Sequence, residues 1–393
     1  MMWEKVKLGD IATSIQPGPF GSQLHNSDYS ESGTPLIMPK DMINGHISHE
    51  NLVFIGNEHV SRLSRHQVHE GNIMVARKGD VRKCVYITEN EDGWMTGSDC
   101  LKVALNDAVC FPKFIYYQLR SPYIGKWLET ISIGATMPSL NTGLLSGIEL
   151  VLPPIPIQKR ITDILSAYDN LIKNNQKQIK LLEEAAQRLY KEWFIDLRFP
   201  GHENTPIHDG LPEGWKKKRL VDITDIQYGF AFDGSLFNST RNGTPIIRIR
   251  NIPDGTTDDY TTETADEQYV VKNGDIVVGM DGEFHINSWC GEDAYLVQRT
   301  CKITPKNSSM KGWLLQAIYE PIKYFEKTVV GATVAHLGKK HLDTIQLLTA
   351  PEKYYKPFAS YFEKRQKLLN QNSKLVEARD RLLPKLMNGE KIK

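Results

Sequence analysis

The strongest pattern of apolar and polar positions lies in the middle of the chain. Ile161, Leu165, Tyr168, Ile172, Asn175, Ile179, Leu182, Ala186, Leu189 and Trp193 follow one another at alternating steps of four and three. All are apolar or aromatic except Asn175, near the centre. This spacing is the seam of a coiled-coil helix with one polar layer. Pro153-Pro154-Ile155-Pro156 leads into it, a rigid, donor-poor start. The pattern predicts a helix of about 35 residues, roughly 50 Å long. An apolar stripe of that length needs a partner, because a lone helix has no tertiary packing to hold it.

The partner is near the C-terminus. Tyr354, Phe358, Tyr361, Arg365, Leu368, Asn372, Leu375, Arg379, Leu382 and Leu386 keep the same rhythm with more polar members. A rival register through Phe362, Leu369 and Val376 fits part of this stretch. Asn372 follows Asn175 at the offset that relates Pro351 to Pro154. Further on, Leu182-x-Glu184-Ala185-x2-Arg188-Leu189 aligns with Leu375-x-Glu377-Ala378-x2-Arg381-Leu382 at a shorter offset. The second helix is therefore expected to lack about one turn.

The repeat extends to the rest of the chain. Trp3-x4-Leu8-x-Asp10-Ile11 returns as Trp215-x4-Leu220-x-Asp222-Ile223, and Gly33-Thr34-Pro35-Leu36-Ile37 as Gly243-Thr244-Pro245-Ile246-Ile247. Gly71-Asn72-Ile73-Met74-Val75 returns as Gly274-Asp275-Ile276-Val277-Val278, and Gly134-Ala135-Thr136-Met137 as Gly331-Ala332-Thr333-Val334. The order is kept and the offset shrinks along the chain. Between glycines, Asn and Asp, short apolar runs such as Pro35 to Met38, Asn72 to Ala76 and Cys84 to Ile87 read as strands. Phe114 to Leu119 and Gly312 to Tyr319 read as helices. Each copy is thus expected to be an α+β unit with a curved sheet followed by a long helix, the two helices pairing with each other. The expected boundaries are 1–153 and 201–350 for the globular units, and 154–200 and 351–393 for the helices. Phe199-Pro200-Gly201 to Leu211-Pro212-Glu213-Gly214 is the polar joint.

Composition adds bounds. The chain has 393 residues, 40% hydrophobic and 24% charged, with a net charge of +1. That balance argues against a small, strongly basic nucleic-acid binder and leaves room for a local basic face. No run of 18 apolar residues is present, the five cysteines include no CxxC, and the start of the sequence leads to the expectation of no signal peptide. Reduced thiols in a cytoplasmic protein with no membrane span are the expectation. Enzyme signatures are missing. Gly338-Lys339-Lys340 lacks the spacing and hydroxyl of a phosphate-binding loop, and no G-x-G-x-x-G follows a strand. Asp281-Gly282-Glu283 reads as a turn. His59, His66 and His69 lack the cysteine or carboxylate companions of a metal site and read as surface residues.

A duplicated unit, each copy followed by a long helix and opened by W-x4-L-x-D-I, resembles the DNA-specificity subunit of a Type I restriction–modification enzyme. The most specific mark is Leu150-Val151-Leu152-Pro153-Pro154-x3-Gln158-x2-Ile161; in the second copy Gln158 and Ile161 become Tyr355 and Phe358, a departure from the family's pattern. The resemblance covers nearly the whole chain. It implies a non-catalytic subunit whose two long helices pair as an antiparallel coiled coil and whose two target-recognition domains each read one half of a split, asymmetric double-stranded DNA site. It also implies a scaffold for two methyltransferase (modification) subunits and for restriction subunits carrying motor and nuclease. S-adenosylmethionine, ATP and magnesium would belong to those partners, with no cofactor or metal in this chain. Adenine methylation and phage defence would be the wider setting. Two other readings are a specificity module of a differently organised modification enzyme and a coiled-coil scaffold that binds no DNA.

Base reading needs donors that reach base edges, and anchoring needs cations and hydroxyls on phosphates. The candidates in the first unit are Gln16, Gly18, Phe20 and Ser22 of a glycine-rich loop and Lys40 after the G-T-P strand. Arg77, Lys78, Arg82 and Lys83 of the densest basic cluster, and Thr136 and Ser139, complete that set. In the second unit they are Gln227, Tyr228, Phe230, Arg248, Arg250, Asn251, Thr333 and His336. The glycine loops also fit plain β-turns, and the basic run also fits a solvated face. The second copy has Asp281 and Glu283 where the first has its basic cluster, so the two half-sites are expected to be read differently.

Overall fold

The structure is a computed structural model that describes residues 3–131, 139–328 and 335–387. Contacts divide the chain into two compact units, Met1–Asn170 with Val376–Lys393, and Leu171–Leu375. Each unit holds one α+β body and part of both long helices.

In the first unit a four-stranded antiparallel sheet runs in the order Ala12–Pro17, Cys100–Leu105, Ile73–Ala76, Cys84–Tyr86. Ile73–Ala76 is buried at every position because alternate side chains enter different cores. Ile73 and Val75 join the helix-covered core with Phe114, Tyr117 and Leu165, while Met74 and Ala76 face Ile37, Val68 and Val85. A second sheet of Met95–Thr96, Thr34–Ile37, Val53–Ile55 and Tyr29–Ser30 lies beyond that smaller core. The strand pair Glu4–Lys7 and Glu149–Leu152 ties the chain's start to the strand leading into the first long helix.

The second unit repeats this plan. Its main sheet is Thr224–Tyr228, Thr300–Pro305, Ile276–Gly279, Ile286–Ser288. Ile276 and Val278 again enter one core and Val277 another. Lys216–Arg219 pairs with Gln346–Thr349 as the closing ribbon, so this exposed basic run is an edge strand.

The first long helix is Ile155–Tyr190, 36 residues, prolonged by a single π-turn at Lys191–Ile195; the second is Lys356–Met387, 32 residues. The difference is about one turn. Within the first unit Ile161 and Leu165 share a core with Leu383, Leu386 and Met387, and Arg379 donates to Asp169 at 2.7 Å. Within the second unit Asn175 meets Asn372 at 2.9 Å, Glu183 meets Arg365 at 2.6 Å, and Trp193 lies edge-on to Phe358. Partner numbers fall as helix numbers rise, so the packing is antiparallel in each unit. Ile161, Leu165, Ile172, Asn175, Ile179 and Phe358 are buried, and Tyr168, Leu182, Leu189, Leu368, Asn372, Leu375 and Leu382 are half-buried.

The differing helix starts have one physical role. Gln158 is fully buried, donates to the Pro153 carbonyl at 2.7 Å and accepts from the Phe111 amide at 2.7 Å. In the second copy the hydroxyl of Tyr355 accepts from the Ala350 amide at 2.8 Å. A phenol replaces an amide in satisfying the backbone of the turn into the helix. The five cysteines are free and buried, and burial pushes the Cys84 and Cys301 thiols up to about 12.

Candidate nucleic-acid interface

One end of each main sheet collects the loops that carry the candidate residues. In the first unit Pro17 pairs with Leu101 and Ala76 with Cys100, so three loops leave the sheet together. They are the glycine-rich loop after Pro17, the segment before Cys100, and the basic hairpin after Ala76. Gly18 lies against the second of these, where a Cβ would fall 1.8 Å from the Gly97 carbonyl oxygen. The Pro39–Asp41 turn joins them, because Gly97 donates to the Ile37 carbonyl at 2.8 Å and Lys83 Nζ to the Pro39 carbonyl at 3.1 Å. Ser139 bridges Lys78, and the Leu140 amide donates to the Arg77 carbonyl at 2.8 Å.

The second unit forms the same cluster. Tyr228 pairs with Cys301 and Gly279 with Thr300. A Cβ on Gly229 would fall 2.0 Å from the Val297 carbonyl oxygen, matching Gly18. His336 bridges Asp281, as Ser139 bridges Lys78. Thr136 and Thr333 lie outside the described residues.

Side chains give the two clusters different chemistry. In the first, Phe20 is 52% exposed with the Arg77 guanidinium 5.3 Å from its ring centre. The basic hairpin is partly neutralised: Lys78 pairs with Asp99 at 3.1 Å, and Arg82 with Asp80 at 3.0 Å and Glu129 at 3.3 Å. Burial pushes the Asp80 carboxyl up, but the hydrogen bonds from Arg82 outweigh it and hold it low. Lys40 spends its ammonium on Asp41 at 2.6 Å and the Asn51 carbonyl at 2.7 Å, which orders the turn. In the second unit Asn251 accepts from the Arg248 amide at 2.8 Å, and Arg250 and Asn251 both donate to Asp259. Arg248 lies 5.7 Å from the Phe237 ring centre. Arg299 pairs with Asp281 at 3.4 Å, and both reach the same ring nitrogen of His336, Nδ1, which hydrogen-bonds one of them at a time according to its tautomer. Gln227 donates to the Tyr228 carbonyl at 2.8 Å, and Phe230 packs on Phe232 and Tyr269.

His66, read from the sequence as a surface residue, is 4% exposed. A 3-10 turn, Ser64–His66, carries it under the glycine-rich loop. Burial first, then the charges of Arg65 and Lys102, hold its imidazole below the usual range. A lone histidine between short turns carries no periodic signal of burial. Asp99 and Arg299 were likewise missed, because their partners are set by loop packing. Among the described residues no group of three or more His, Cys, Asp or Glu is placed to hold a metal ion, and no helix is long and apolar enough to cross a membrane.

Two copies of one α+β unit, each gathering cations, amides and aromatics on loops at one sheet end, define a duplicated recognition protein with long helices. Its residues 2–184 and 212–371 match the Type I restriction modification DNA specificity domain, and the chain belongs to that family. It is a subunit for DNA sequence recognition, and catalysis in such systems is carried by other subunits. It is 24% identical to the Type I restriction enzyme MjaIX specificity subunit of Methanocaldococcus jannaschii over 99% of this chain and 93% of that one. The HindI specificity subunit of Haemophilus influenzae is 21% identical over 99% of both. The crystal structure of the S subunit from M. genitalium shares the fold, with a TM-score of 0.55 and 14% identity over 100% of this chain and 96% of that one.

Proposed function

We propose that each α+β unit reads one half of a split, asymmetric DNA site, and that the paired helices set the spacing of the halves. The observation that carries this reading is the duplicated loop cluster with unlike side chains: the same scaffold in both copies, with Phe20, Arg77 and Lys78 in one and Phe230, Asp281, Arg299 and His336 in the other. A duplicated reader suits the local twofold symmetry of duplex DNA. The difference in side chains makes the target asymmetric. Arg77, Lys78, Ser139 and Thr136 are assigned to phosphates or base edges in the first unit, and Arg248, Thr333 and His336 in the second.

The chain also serves as the scaffold for two methyltransferase subunits and, through them, the restriction subunits. Leu171 and Leu181 of the first long helix support this, being 48% and 64% exposed off the seam. S-adenosylmethionine, ATP and magnesium are then used by those partners, and the working location is the cytoplasm.

The test is binding of random-sequence duplexes by the purified chain, alone and with a co-expressed methyltransferase subunit. Sequence-selective retention of a bipartite site, or a stable complex with the methyltransferase subunit, is the expected result. A chain that neither joins a methyltransferase nor retards DNA at low salt overturns the proposal.

A further inference from the structure

The two units differ at one place beside the loop cluster. In the second unit Tyr269 packs 5.2 Å from Phe230, Phe230 lies 4.8 Å from Phe232, and Phe232 stacks on Tyr295 at 5.4 Å. Aromatic rings fill the space under the glycine loop. The backbone around it is pinned by Lys302, whose ammonium donates to the Val270 carbonyl at 2.7 Å.

In the first unit the equivalent lysine, Lys102, donates to the carbonyls of Arg65 and Gln67, each at 2.7 Å. The frame is the same, but His66 stands where the second unit has Tyr269, and no aromatic cluster fills the space. A cleft of about 390 Å³ opens instead, lined by Gln16, Phe20, Ser22 and His66 among others. Its volume lies at the lower end of the range for small ligand sites, ~300–1,000 Å³.

The polar groups at this cleft are unusual. Among the described residues five buried side-chain nitrogen or oxygen atoms have no hydrogen-bond partner, and three gather here: Gln16 Oε1, His66 Nδ1 and Arg77 Nε. Gln16 and His66 line the cleft, and Arg77 lies over Phe20 at its lip. The imidazole's other nitrogen, Nε2, accepts from Arg65 Nε at 3.0 Å. The Pro17 carbonyl favours a protonated ring, but it is not in hydrogen-bonding geometry with Nδ1. Buried polar groups without partners are rare, and each calls for a partner that the protein's own groups do not supply, an ordered water or a ligand.

We propose that this cleft is where the first domain takes the edge of a base, with Gln16 and His66 as specificity-determining residues. The inference rests on the DNA-recognition reading above. The Gln16 carbonyl oxygen accepts from an exocyclic amino group in the major groove, adenine N6 or cytosine N4. His66 Nδ1 meets a second polar atom of the same edge. Phe20 flanks the base at the lip and holds the Arg77 guanidinium toward the backbone phosphate. The second domain, its equivalent space filled by Tyr269 and Phe230, reads its half-site through other side chains.

The test uses the full chain assembled with its methyltransferase subunits and target selection from random duplexes. Gln16→Leu removes the acceptor, and His66→Tyr places the second domain's residue in the first domain's cleft. Phe20→Ala and Ser22→Ala alter only exposed lip residues, so they keep the test open if His66→Tyr misfolds. Gln16→Leu and His66→Tyr are expected to lose preference at one or two positions of a single half-site, with the other half unchanged. Affinity for the wild-type target should fall about tenfold to a hundredfold, as for loss of a base contact. Phe20→Ala should weaken the same half-site. If folded Gln16→Leu and Phe20→Ala select the wild-type target, or if both half-sites weaken equally, the cleft is not a base-reading site. If the wild-type complex selects no sequence, the DNA-recognition reading falls with it.

Discussion

Asn175 Nδ2 donates to Asn372 Oδ1 at 2.9 Å across the helix pair, and the two residues are 197 positions apart in sequence. Asn372 also directs its own amide at the Ile172 carbonyl, 3.4 Å away. Asn175 is 5% exposed, so it depends on this partner rather than on water. A paired polar layer of this kind fixes register at some cost in stability. Asn175→Leu alone leaves Asn372 against an apolar neighbour and should cost about 1–3 kcal/mol. Replacing both with Leu should restore or exceed wild-type stability. Urea midpoints of the wild type, each single variant and the double variant check this. A single variant as stable as the wild type would refute the coupling.

A second buried pair makes stability depend on pH. Asp169, 7% exposed, accepts from Tyr117 Oη at 2.6 Å and Arg379 at 2.7 Å, with Arg120 at 3.8 Å. Burial pushes its carboxyl up, but those hydrogen bonds and charges outweigh it and hold the group below its ordinary value. The unfolded carboxyl titrates near ~3.9. The stabilisation is therefore complete above that pH and is lost as pH falls through the lower folded value. Asp169→Asn should be destabilising at neutral pH, with its deficit against the wild type shrinking on acidification below pH ~4. Arg379→Met leaves Tyr117 and Arg120 on the carboxylate. Its cost should sit at or below the low end of the ~3–5 kcal/mol typical of a broken buried pair. Urea midpoints from pH 7 to pH 3 distinguish these outcomes; a pH-independent Asp169→Asn deficit would exclude the linkage.

These two pairs also mark what the sequence makes legible. Periodicity shows the seam because apolar burial on a helix repeats at fixed steps, and Asn175 stands out by breaking it. The same pattern makes Arg365 and Arg379 look like weak points, when each reaches a carboxylate, Glu183 and Asp169 respectively. Duplication reveals the two α+β bodies because matched glycines and strands keep their order. Loop chemistry is less legible. The run Arg77 to Lys83 reads as a basic patch, but Asp99 and Glu129, brought in from elsewhere in the chain, neutralise part of it. Lys40, Arg250 and Asn251 are of the right types for DNA contact, yet Asp41 engages the first and Asp259, beyond the turn, engages the other two. Linear spacing carries no trace of such partners.

Salt dependence can separate anchoring cations from structural ones. The Lys78 side chain is 47% exposed and paired with Asp99, 41% exposed, so the ion pair itself contributes little to stability. If Lys78 turns to a phosphate on binding, Lys78→Ala should weaken all duplexes alike. It should also flatten the plot of log affinity against log salt by about 0.9. Lys40→Ala, with its ammonium already spent on Asp41 and Asn51, should leave that slope unchanged. Titrations of one duplex at several salt concentrations measure both slopes. An unchanged slope for Lys78→Ala would place that lysine off the DNA.

The proposed role of the long helices is tested by changing their length. Inserting four residues near residue 180 adds about one turn and ~6 Å of helix. The insertion falls between Asn175, bonded to Asn372, and Glu183, bonded to Arg365, so it must displace one pairing relative to the other. If the helices set the distance between half-sites, the selected target should keep both half-sites and change the number of bases between them. B-form DNA rises ~3.4 Å per base pair, so about two extra base pairs would match the added length. Target selection with the inserted chain and its methyltransferase subunits reads the spacer directly. An unchanged spacer, with both half-sites retained, would show that something other than helix length fixes the distance.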